Sequence, residues 1–286
     1  MRRVAKWLGI GVAGLFGLLV LAVIAIFAVS GYILGRSHEA RAETLMRPTA
    51  ALLADAPRQA RILGCVTCHG EGLKGQVMFD APNVARVMAP NLTEIAARAS
   101  DQQLAAAIRQ GIGYDGRALF VMPSQQYSRL SDDEVAALIA FIRKQKRVPG
   151  NTEGASLGPL GRLGVATGKF RPTPAKIEEF RTRAPVHLGP ALAAGRRLAA
   201  NACSDCHGPA LEGRELEDGS RAPDLTIAGA YDYKQFRTLL RAGTTPGNKK
   251  LGLMKKVAEK DFVHLTDTEI KSVHDYLRAR AEKLSN

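Results

Sequence analysis

Two copies of a Cys-x-x-Cys-His motif, "CVTCH" at 65–69 and "CSDCH" at 203–207, divide this sequence into matching halves. Three further segments recur in the same order after each copy. They are "APNLT" (89–93) with "APDLT" (222–226), "IRQG" (108–111) with "LRAG" (240–243), and "RLSDDEVAALIAFIR" (129–143) with "HLTDTEIKSVHDYLR" (264–278). Such repetition indicates a duplicated domain, here of about 90 residues.

The repeated segments carry the signals of helices. Each half has two segments that open with an N-cap residue and a Glu or Gln three positions later. These pairs are Ser100 with Gln103, Ser131 with Glu134, Asp232 with Gln235, and Thr266 with Glu269. Apolar residues then follow at helical spacing, and the segments that begin at 100 and 232 end at Gly111 and Gly243. The fold class predicted for the repeated part is mainly α.

The N-terminal segment has a different character. No charged side chain occurs from Trp7 to Leu34, a helix of about 42 Å, which exceeds the roughly 30 Å of a hydrocarbon core. A cleaved signal peptide is the alternative, but the run is about twice the usual length of its apolar region. We therefore expect an uncleaved transmembrane anchor at 1–36. Basic residues before the run predict a cytoplasmic N-terminus at the inner membrane, with the remaining chain in the periplasm.

The rest of the chain divides by composition and repeats. We predict a stalk at 37–56, a first domain at 57–147, a linker at 148–184 and a second domain at 185–286. The linker is rich in Gly, Pro, Ser and Thr and is predicted to be irregular.

The net charge and a pattern of small residues in the anchor indicate which kinds of partner to expect. The formal net charge is +13, but the positive charge is spread along the chain, and nucleic-acid binding is not predicted. In the anchor, Gly9, Ala13 and Gly17 follow a small-x-x-x-small pattern that allows another membrane helix to approach closely. Another membrane subunit is thus a candidate partner.

The chemistry of the two motifs decides among zinc, a redox disulfide and haem. Zinc needs about four ligands, and a site pooled from both motifs would join cysteines 138 residues apart. A redox disulfide gives no role to the following histidine. Covalent haem uses all three residues, because two thiols form thioethers and the next histidine ligates iron. We predict two covalent haem c groups. The attachment residues are Cys65, Cys68, Cys203 and Cys206, and the iron ligands are His69 and His207.

The chain resembles a membrane-anchored dihaem cytochrome c. Each half is similar to a class I cytochrome c domain from its Cys-x-x-Cys-His motif to its last helix, over about 57–147 and 188–282. The segment "MPSQQYSRLSDDEVAALIAFIR" (122–143) is especially similar to cytochrome subunits of membrane-bound sugar and alcohol dehydrogenases. Those subunits usually carry three haem motifs, whereas this sequence carries two. The fold implied is a transmembrane helix followed by two tandem class I cytochrome c domains.

The resemblance also implies an axial methionine on the loop before the last helix, which maps to Met122 and Met254. Met46, Met78 and Met88 compete with Met122, and His264 and His274 compete with Met254. A proline whose carbonyl orients the axial histidine maps to Pro90 and Pro223.

Two six-coordinate haems leave no open iron position, so we expect a single-electron carrier rather than an enzyme. It would take electrons from a quinol-oxidising or dehydrogenase complex and pass them to a terminal oxidase, reductase or soluble cytochrome. The alternatives are a dihaem peroxidase and an anchoring haem subunit of a larger complex. Four lysines around Met254 are expected to steer an acidic redox partner to the second haem: Lys249, Lys250, Lys255 and Lys256.

Overall fold

A long apolar helix, α1 (Arg2–Gly35), leads into two similar helical halves. The structure is a computed structural model that describes residues 2–216, 219–247 and 251–285. At 34 residues α1 is about 51 Å long, and it is apolar enough to cross a membrane. Most of its side chains are exposed to the surroundings rather than packed on the rest of the chain.

The first half is a helical cluster with a β-hairpin. Its core is formed by apolar residues of α2, α5 and α7 with Leu73, Tyr127 and Leu130. The elements, in order, are α2 (Ala50–Ile62), α3 (Cys65–His69), a 3₁₀ turn (Glu71–Leu73), β1 (Gln76–Ala81), β2 (Ala85–Ala89), α4 (Leu92–Ala96), α5 (Asp101–Gln110), α6 (Ser124–Tyr127) and α7 (Asp132–Arg143).

The segment between the halves is structured, so its predicted irregularity is wrong. It contains β3 (Ala155–Leu157), α8 (Pro159–Ala166) and α9 (Pro174–Thr182). The strand β3 pairs antiparallel with β2 and completes a three-stranded sheet in the order β1-β2-β3. Both helices begin with proline in the first turn, where its missing N–H costs nothing. Two of the four prolines in the predicted linker, Pro159 and Pro174, are therefore helix starts.

The predicted stalk lies against the first half. Arg41 exchanges two backbone hydrogen bonds with the Gln110 side chain, and Glu43 forms an ion pair with Arg109. The helix α2 begins at Ala50, seven residues before the predicted start of the domain. The segment after α1 therefore packs on the first half along its length from Arg41 to Ala50.

The second half repeats the first. Its core contains Leu211, Phe236, Ile270, Tyr276 and Leu277. The elements are α10 (Ala193–Ala202), α11 (Ser204–His207), β4 (Arg214–Glu215), β5 (Arg221–Ala222), α12 (Tyr233–Ala242), α13 (Leu253–Lys260) and α14 (Asp267–Ser285), with 3₁₀ turns at Pro190–Leu192, Leu225–Ala230 and Phe262–His264.

The predicted helix signals are confirmed. Capping boxes are present at the starts of α5, α7 and α12, and at α14 Thr266 and Glu269 exchange side-chain-to-backbone hydrogen bonds of 2.7 and 3.1 Å. The helices α5 and α12 end at Gly111 and Gly243, which adopt φ of 66° and 61°. Only glycine takes this left-handed conformation without steric cost.

The two halves meet in a reciprocal contact that we call the seam. On one side α2 contacts the 3₁₀ turn Phe262–His264, and on the other side the equivalent α10 contacts the equivalent α6. Arg58 donates to both carboxylate oxygens of Glu269, at 2.7 and 2.9 Å, and Arg197 forms an ion pair with Glu134. Because Glu134 and Glu269 occupy the same position in the two repeats, the halves are related by an approximate twofold rotation.

Candidate haem attachment sites

Both cysteines of the first motif lie on one helical turn. The helix α3 holds Cys65, Cys68 and His69, and it lies between Gly64 and Gly70, both with φ of 77°. Residues three apart lie on the same side of a helix, so the two thiols point in one direction. In the second motif Cys203 is the N-cap of α11, which carries Cys206 and His207. The sequence thus produces the same short helix twice.

Each histidine is oriented by a proline carbonyl, as predicted. His69 Nδ1 lies 2.8 Å from Pro90 O, and His207 Nδ1 lies 2.8 Å from Pro223 O. A carbonyl oxygen only accepts, so Nδ1 must carry the proton and donate it. The other ring nitrogen, Nε2, then keeps its lone pair for a metal. Burial lowers the pKa of both imidazoles, and these hydrogen bonds oppose that effect.

A second feature of the loop that follows each motif was not predicted from the sequence. Gly75 donates to His69 O at 2.8 Å, and Gly213 donates to His207 O at 2.7 Å. A Cβ at Gly75 would lie 2.8 Å from Asn91 N, and one at Gly213 would lie 2.6 Å from Asp224 N. Glycine is therefore required for the loop to bring histidine and proline together. The signal was present as the repeated pattern Cys-His-Gly-x-x-Leu-x-Gly at 68–75 and 206–213.

The first half contains a cavity of about 530 Å³ beside its motif, with a mainly apolar lining. Cys65, Cys68, His69 and Met122 all line it. Met122 and Cys65 pack on the same apolar core. The competing Met78 and Met88 also line the cavity, whereas Met46 is not among its lining residues and is 60% exposed. The cavity therefore brings the predicted attachment residues and ligands together, and three methionines line it: Met78, Met88 and Met122.

The second half brings Cys203 and Met254 to one apolar core, where both are partly buried. The predicted loop position of Met254 is wrong, because this residue lies in the first turn of α13. Met122, in contrast, precedes α6 and its N-cap Pro123. Lys255 and Lys256 are exposed, and Lys255 forms an ion pair with Glu259. Lys249 and Lys250 lie outside the described residues.

Of the two histidines that compete with Met254, His274 has its imidazole hydrogen-bonded elsewhere, and His264 lies at the seam. His274 is 3% exposed, its Nε2 donates to Tyr231 O at 2.9 Å, and its ring lies 5.2 Å from that of Phe236. This nitrogen carries a proton, so it has no lone pair for iron. His264 is partly exposed at the seam, where its carbonyl accepts from Arg58 at 3.1 Å.

The four cysteines are neutral and unpaired. All are free of disulfides, and burial raises the pKa of Cys65 and Cys203 to about 12 and of Cys68 and Cys206 to about 11. Among the described residues, no three His, Cys, Asp or Glu side chains converge on a point where they could bind a metal ion. Two free thiols on one short helix, an oriented imidazole and, in the first half, an apolar cavity fit covalently held haem.

The seam runs directly beside both motifs. Thr67, between the cysteines of the first motif, donates to Asp261 of the second half, and burial raises the pKa of that carboxyl to about 6. Asp205, between the cysteines of the second motif, donates its backbone N–H to Gln126 Oε1 at 3.0 Å and accepts from Gln125. Thr67 and Asp205 are equivalent positions, as are Gln126 and Asp261. Each haem-attachment helix is therefore held by the other half.

The raised pKa of Asp261 predicts a pH-dependent stability. Below about pH 4 the carboxyl is protonated in both the folded and unfolded chain, and it has no effect. Between about pH 4 and 6 only the unfolded chain releases the proton, so the folded state loses stability and remains less stable above pH 6. Asp261→Asn keeps the acceptor for Thr67 and should increase the free energy of unfolding at pH 7.5 by about 1–3 kcal/mol.

Denaturant unfolding at pH 3.5 and 7.5 tests this prediction, and the difference between variant and parent should vanish at the lower pH. Asp267→Asn is the matched control with the opposite sign, because Arg237 and Arg241 lower the pKa of Asp267. An equal gain for Asp261→Asn at both pH values would contradict the prediction.

Fold and site together define a class: a mainly helical protein with two Cys-x-x-Cys-His helices, each beside a carbonyl-oriented histidine. The sequence profile of the family described as "Cytochrome c" matches residues 54–146 and 192–281, more than half of the chain. The chain belongs to the cytochrome c family, and membership implies covalently bound haem c. The predicted fold class and family are thus confirmed.

Curated relatives are cytochrome subunits of dehydrogenases. The chain is 26% identical over 244 residues to the fructose dehydrogenase cytochrome subunit of Gluconobacter japonicus, covering 75% of this chain and 50% of that protein. It is 25% identical to the gluconate 2-dehydrogenase cytochrome c subunit of Pantoea cypripedii (82% and 60% covered). It is 23% identical to the alcohol dehydrogenase (quinone) cytochrome c subunit of Gluconobacter oxydans (strain 621H) (90% and 59%). The chain therefore spans about half to three fifths of the length of these relatives.

Proposed function

We propose that this chain is a membrane-tethered dihaem cytochrome c that relays single electrons. Cys65 and Cys68 hold one haem, and Cys203 and Cys206 hold the other. His69 and Met122 ligate the first iron, and His207 and Met254 ligate the second. The haem supplies the one-electron chemistry, while the chain supplies an apolar site, fixed ligands and a path for the electron.

The proposal assigns the segments as follows. Residues 1–36 anchor the chain in the inner membrane with the N-terminus in the cytoplasm, and 37–56 connect the anchor to the first domain. The domains are 57–147 and 185–286, joined by 148–184, and both lie in the periplasm. The electron donor is a dehydrogenase or quinol-oxidising complex, and the acceptor is a terminal oxidase, reductase or soluble cytochrome.

One observation carries the proposed relay: in each motif, one of the two residues between the cysteines contacts the other half. The thioether sulfurs attach the haem edge to these helices. Contacts through Thr67–Asp261 and Asp205–Gln126 therefore support a short route between the two haem edges. An electron entering at one domain would leave from the other without a separate carrier.

Flash photoreduction tests the relay in the haem-loaded chain. With less than one reducing equivalent per protein, electron redistribution between the haems should be first order and independent of protein concentration. Gln126→Ala removes the acceptor for the Asp205 N–H at the seam and should slow this phase, whereas Gln102→Ala, an exposed glutamine outside the seam, should not. A redistribution rate that rises in proportion to protein concentration would mean that electrons move only between molecules.

The basic surface beside Met254 supports docking of an acidic partner at the second haem. Lys255→Glu with Lys256→Glu should slow electron transfer to that partner at low salt and flatten the salt dependence, since exposed charges mainly affect encounter rate. Lys271→Glu with Lys283→Glu, on exposed positions of α14, is the control of equal charge change. Equal rates and salt slopes for the two variants would exclude a specific docking role for the first pair.

A second candidate role is an anchoring haem subunit of a larger respiratory complex. The small-residue face of α1 favours it, because a Cβ added at Gly9 or Gly17 would meet no described atom within 4 Å beyond the neighbouring backbone of α1 itself. This face, which includes Ala13, is open to a helix of another subunit. Blue native electrophoresis of Gly9→Ile with Gly17→Ile, in the native membrane, should show loss of the larger complex if that role is correct.

A further inference from the structure

The helix α8 contacts α1 at a level inside the charge-free run. Arg162 Nη1 donates to Ser30 Oγ at 3.3 Å, and its guanidinium carbon lies 5.0 Å from the centroid of the Phe27 ring. Ser30 is fully buried, although nearly all of α1 is exposed. The segment between the two haem domains is therefore attached to the anchor itself.

The position of this contact along α1 sets the depth of α8. Phe27 and Ser30 precede Leu34, the last residue of the charge-free run, by seven and four positions. At about 1.5 Å per residue these contacts lie about 10 Å and 6 Å below the end of the run. Helices that lie in a membrane interface bury their apolar face by about 5–10 Å. If α1 spans the bilayer, α8 lies at the depth of its outer interface.

The face of α8 that turns away from the protein is apolar. Leu160 is 57% exposed and Leu163 is 39% exposed, and residues three apart share one side of a helix. Val165 is 2% exposed and packs inward. The two leucines therefore present a small apolar face on the outer side of α8.

The helix cannot swing away from this position, because its start is fixed to the β-hairpin. Gly158 donates to Val84 O and Leu160 donates to Asn83 O, both at 2.9 Å. A Cβ at Gly161 would lie 2.2 Å from Val84 O, so the two backbones are in direct contact. Val84 is itself 39% exposed and extends the apolar surface.

We propose that α8 lies in the outer interface of the lipid bilayer, with Leu160 and Leu163 among the acyl chains. This inference rests on the proposed anchoring by α1. The partner is the lipid surface, because the contact with Phe27 and Ser30 already places α8 at membrane depth. Arg162 has a hydrogen-bond acceptor in Ser30 and an aromatic face in the Phe27 ring there, and both contacts favour its guanidinium at that depth.

The arrangement also holds the first haem site against the membrane. Leu34 of α1, Arg162 of α8 and Leu157 of β3 all line the cavity that contains Cys65, Cys68 and His69. The first haem is therefore fixed beside the bilayer by three separate elements, and it does not hang from a flexible stalk. The second half makes no comparable contact with α1 among the contacts of the described residues.

Photo-crosslinking in proteoliposomes tests the proposal. The purified haem-loaded protein is reconstituted with a phospholipid that carries a diazirine in its acyl chain, and lipid adducts are located by peptide mass spectrometry. Adducts are expected on α1 and on Leu160–Leu163. Ile227, a 50% exposed apolar residue of the second half, should carry none and is the matched control position. Leu160→Glu with Leu163→Glu should lose the α8 adducts and keep those on α1.

The outcomes separate this inference from the proposed anchoring. Adducts on α1 without adducts on α8 would overturn the interfacial position of α8 and leave the anchor intact. Absence of adducts on both helices would overturn the anchor as well. Adducts on Ile227 in the same yield as on Leu160 would mean that labelling follows exposure alone, and this result would also overturn the proposal.

Discussion

The intact protein is expected to exceed the mass of its polypeptide by two haem groups. The excess should persist in denaturant, because thioether bonds hold each haem covalently. Cys65→Ala with Cys68→Ala should remove one haem, and Cys203→Ala with Cys206→Ala should remove the other, because each pair lies on its own short helix. Denaturing mass spectrometry and extraction with acidified acetone measure both properties.

The two double variants control for one another, since each retains an undisturbed site. Haem that passes into the organic phase from the parent protein would contradict covalent attachment. A mass that fits bound zinc in place of haem would contradict the haem assignment altogether.

Replacing either axial methionine should open one iron and produce the second large effect. Thioether ligation of ferric haem gives a weak near-infrared band, and Met122→Ala and Met254→Ala should each remove about half of it. Each variant should also bind cyanide at one haem, and the potential of that haem should fall because methionine ligation favours the reduced form. Near-infrared spectroscopy and redox titration provide the measurements.

The other methionines and the histidines that compete for the iron provide the control variants. Met78→Ala and Met88→Ala should leave the band unchanged, although both side chains line the first cavity. His264→Ala and His274→Ala should likewise leave it unchanged. If Met254→Ala leaves the band at the parent's intensity, His264 or His274 becomes the candidate ligand of the second iron. Loss of half of the band in Met78→Ala or Met88→Ala would reassign the ligand of the first iron to that methionine.

The local structure of each repeat was predictable because short-range signals determine it. Ser100, Asp232 and their glutamines fix the starts of α5 and α12, and Gly111 and Gly243 fix their ends. The contact of His69 and His207 with proline carbonyls followed from the resemblance to class I cytochromes c. These features depend on residues close together in the sequence or repeated between the halves.

The position of Met254 was not predictable by analogy, and the reason is physical. Pro123 follows Met122, and a residue before proline is disfavoured in helical conformation. Met122 therefore stays outside α6. Lys255 follows Met254 and imposes no such restriction, so α13 includes Met254. The lysine that stands after Met254, where the first repeat has proline, thus accounts both for the departure from the sequence pattern and for the different backbone.

The elements of the linker and the contacts of the seam could not be predicted from the sequence, because both depend on residues far apart in the chain. The strand β3 exists because β2 offers an edge about 70 residues earlier in the chain. The seam joins Thr67 to Asp261 and Asp205 to Gln126, residues 194 and 79 positions apart. Neither contact leaves a periodic pattern in the sequence, since each joins isolated polar residues.

The near-twofold seam has a consequence for how this gene product arose and assembles. A duplicated domain that meets its copy through equivalent positions is what an ancestral homodimer would leave after fusion of its two genes. Thr67 donates to the Asp261 carboxylate and Gln125 donates to the Asp205 carboxylate, so each carboxylate meets a neutral side chain. Two second halves docked in the same way would place Asp205 instead of Thr67 against Asp261, so the hydroxyl donor to that carboxylate would be lost. Thr67 of the first half thus supplies a hydrogen-bond donor that the second half lacks at the equivalent position.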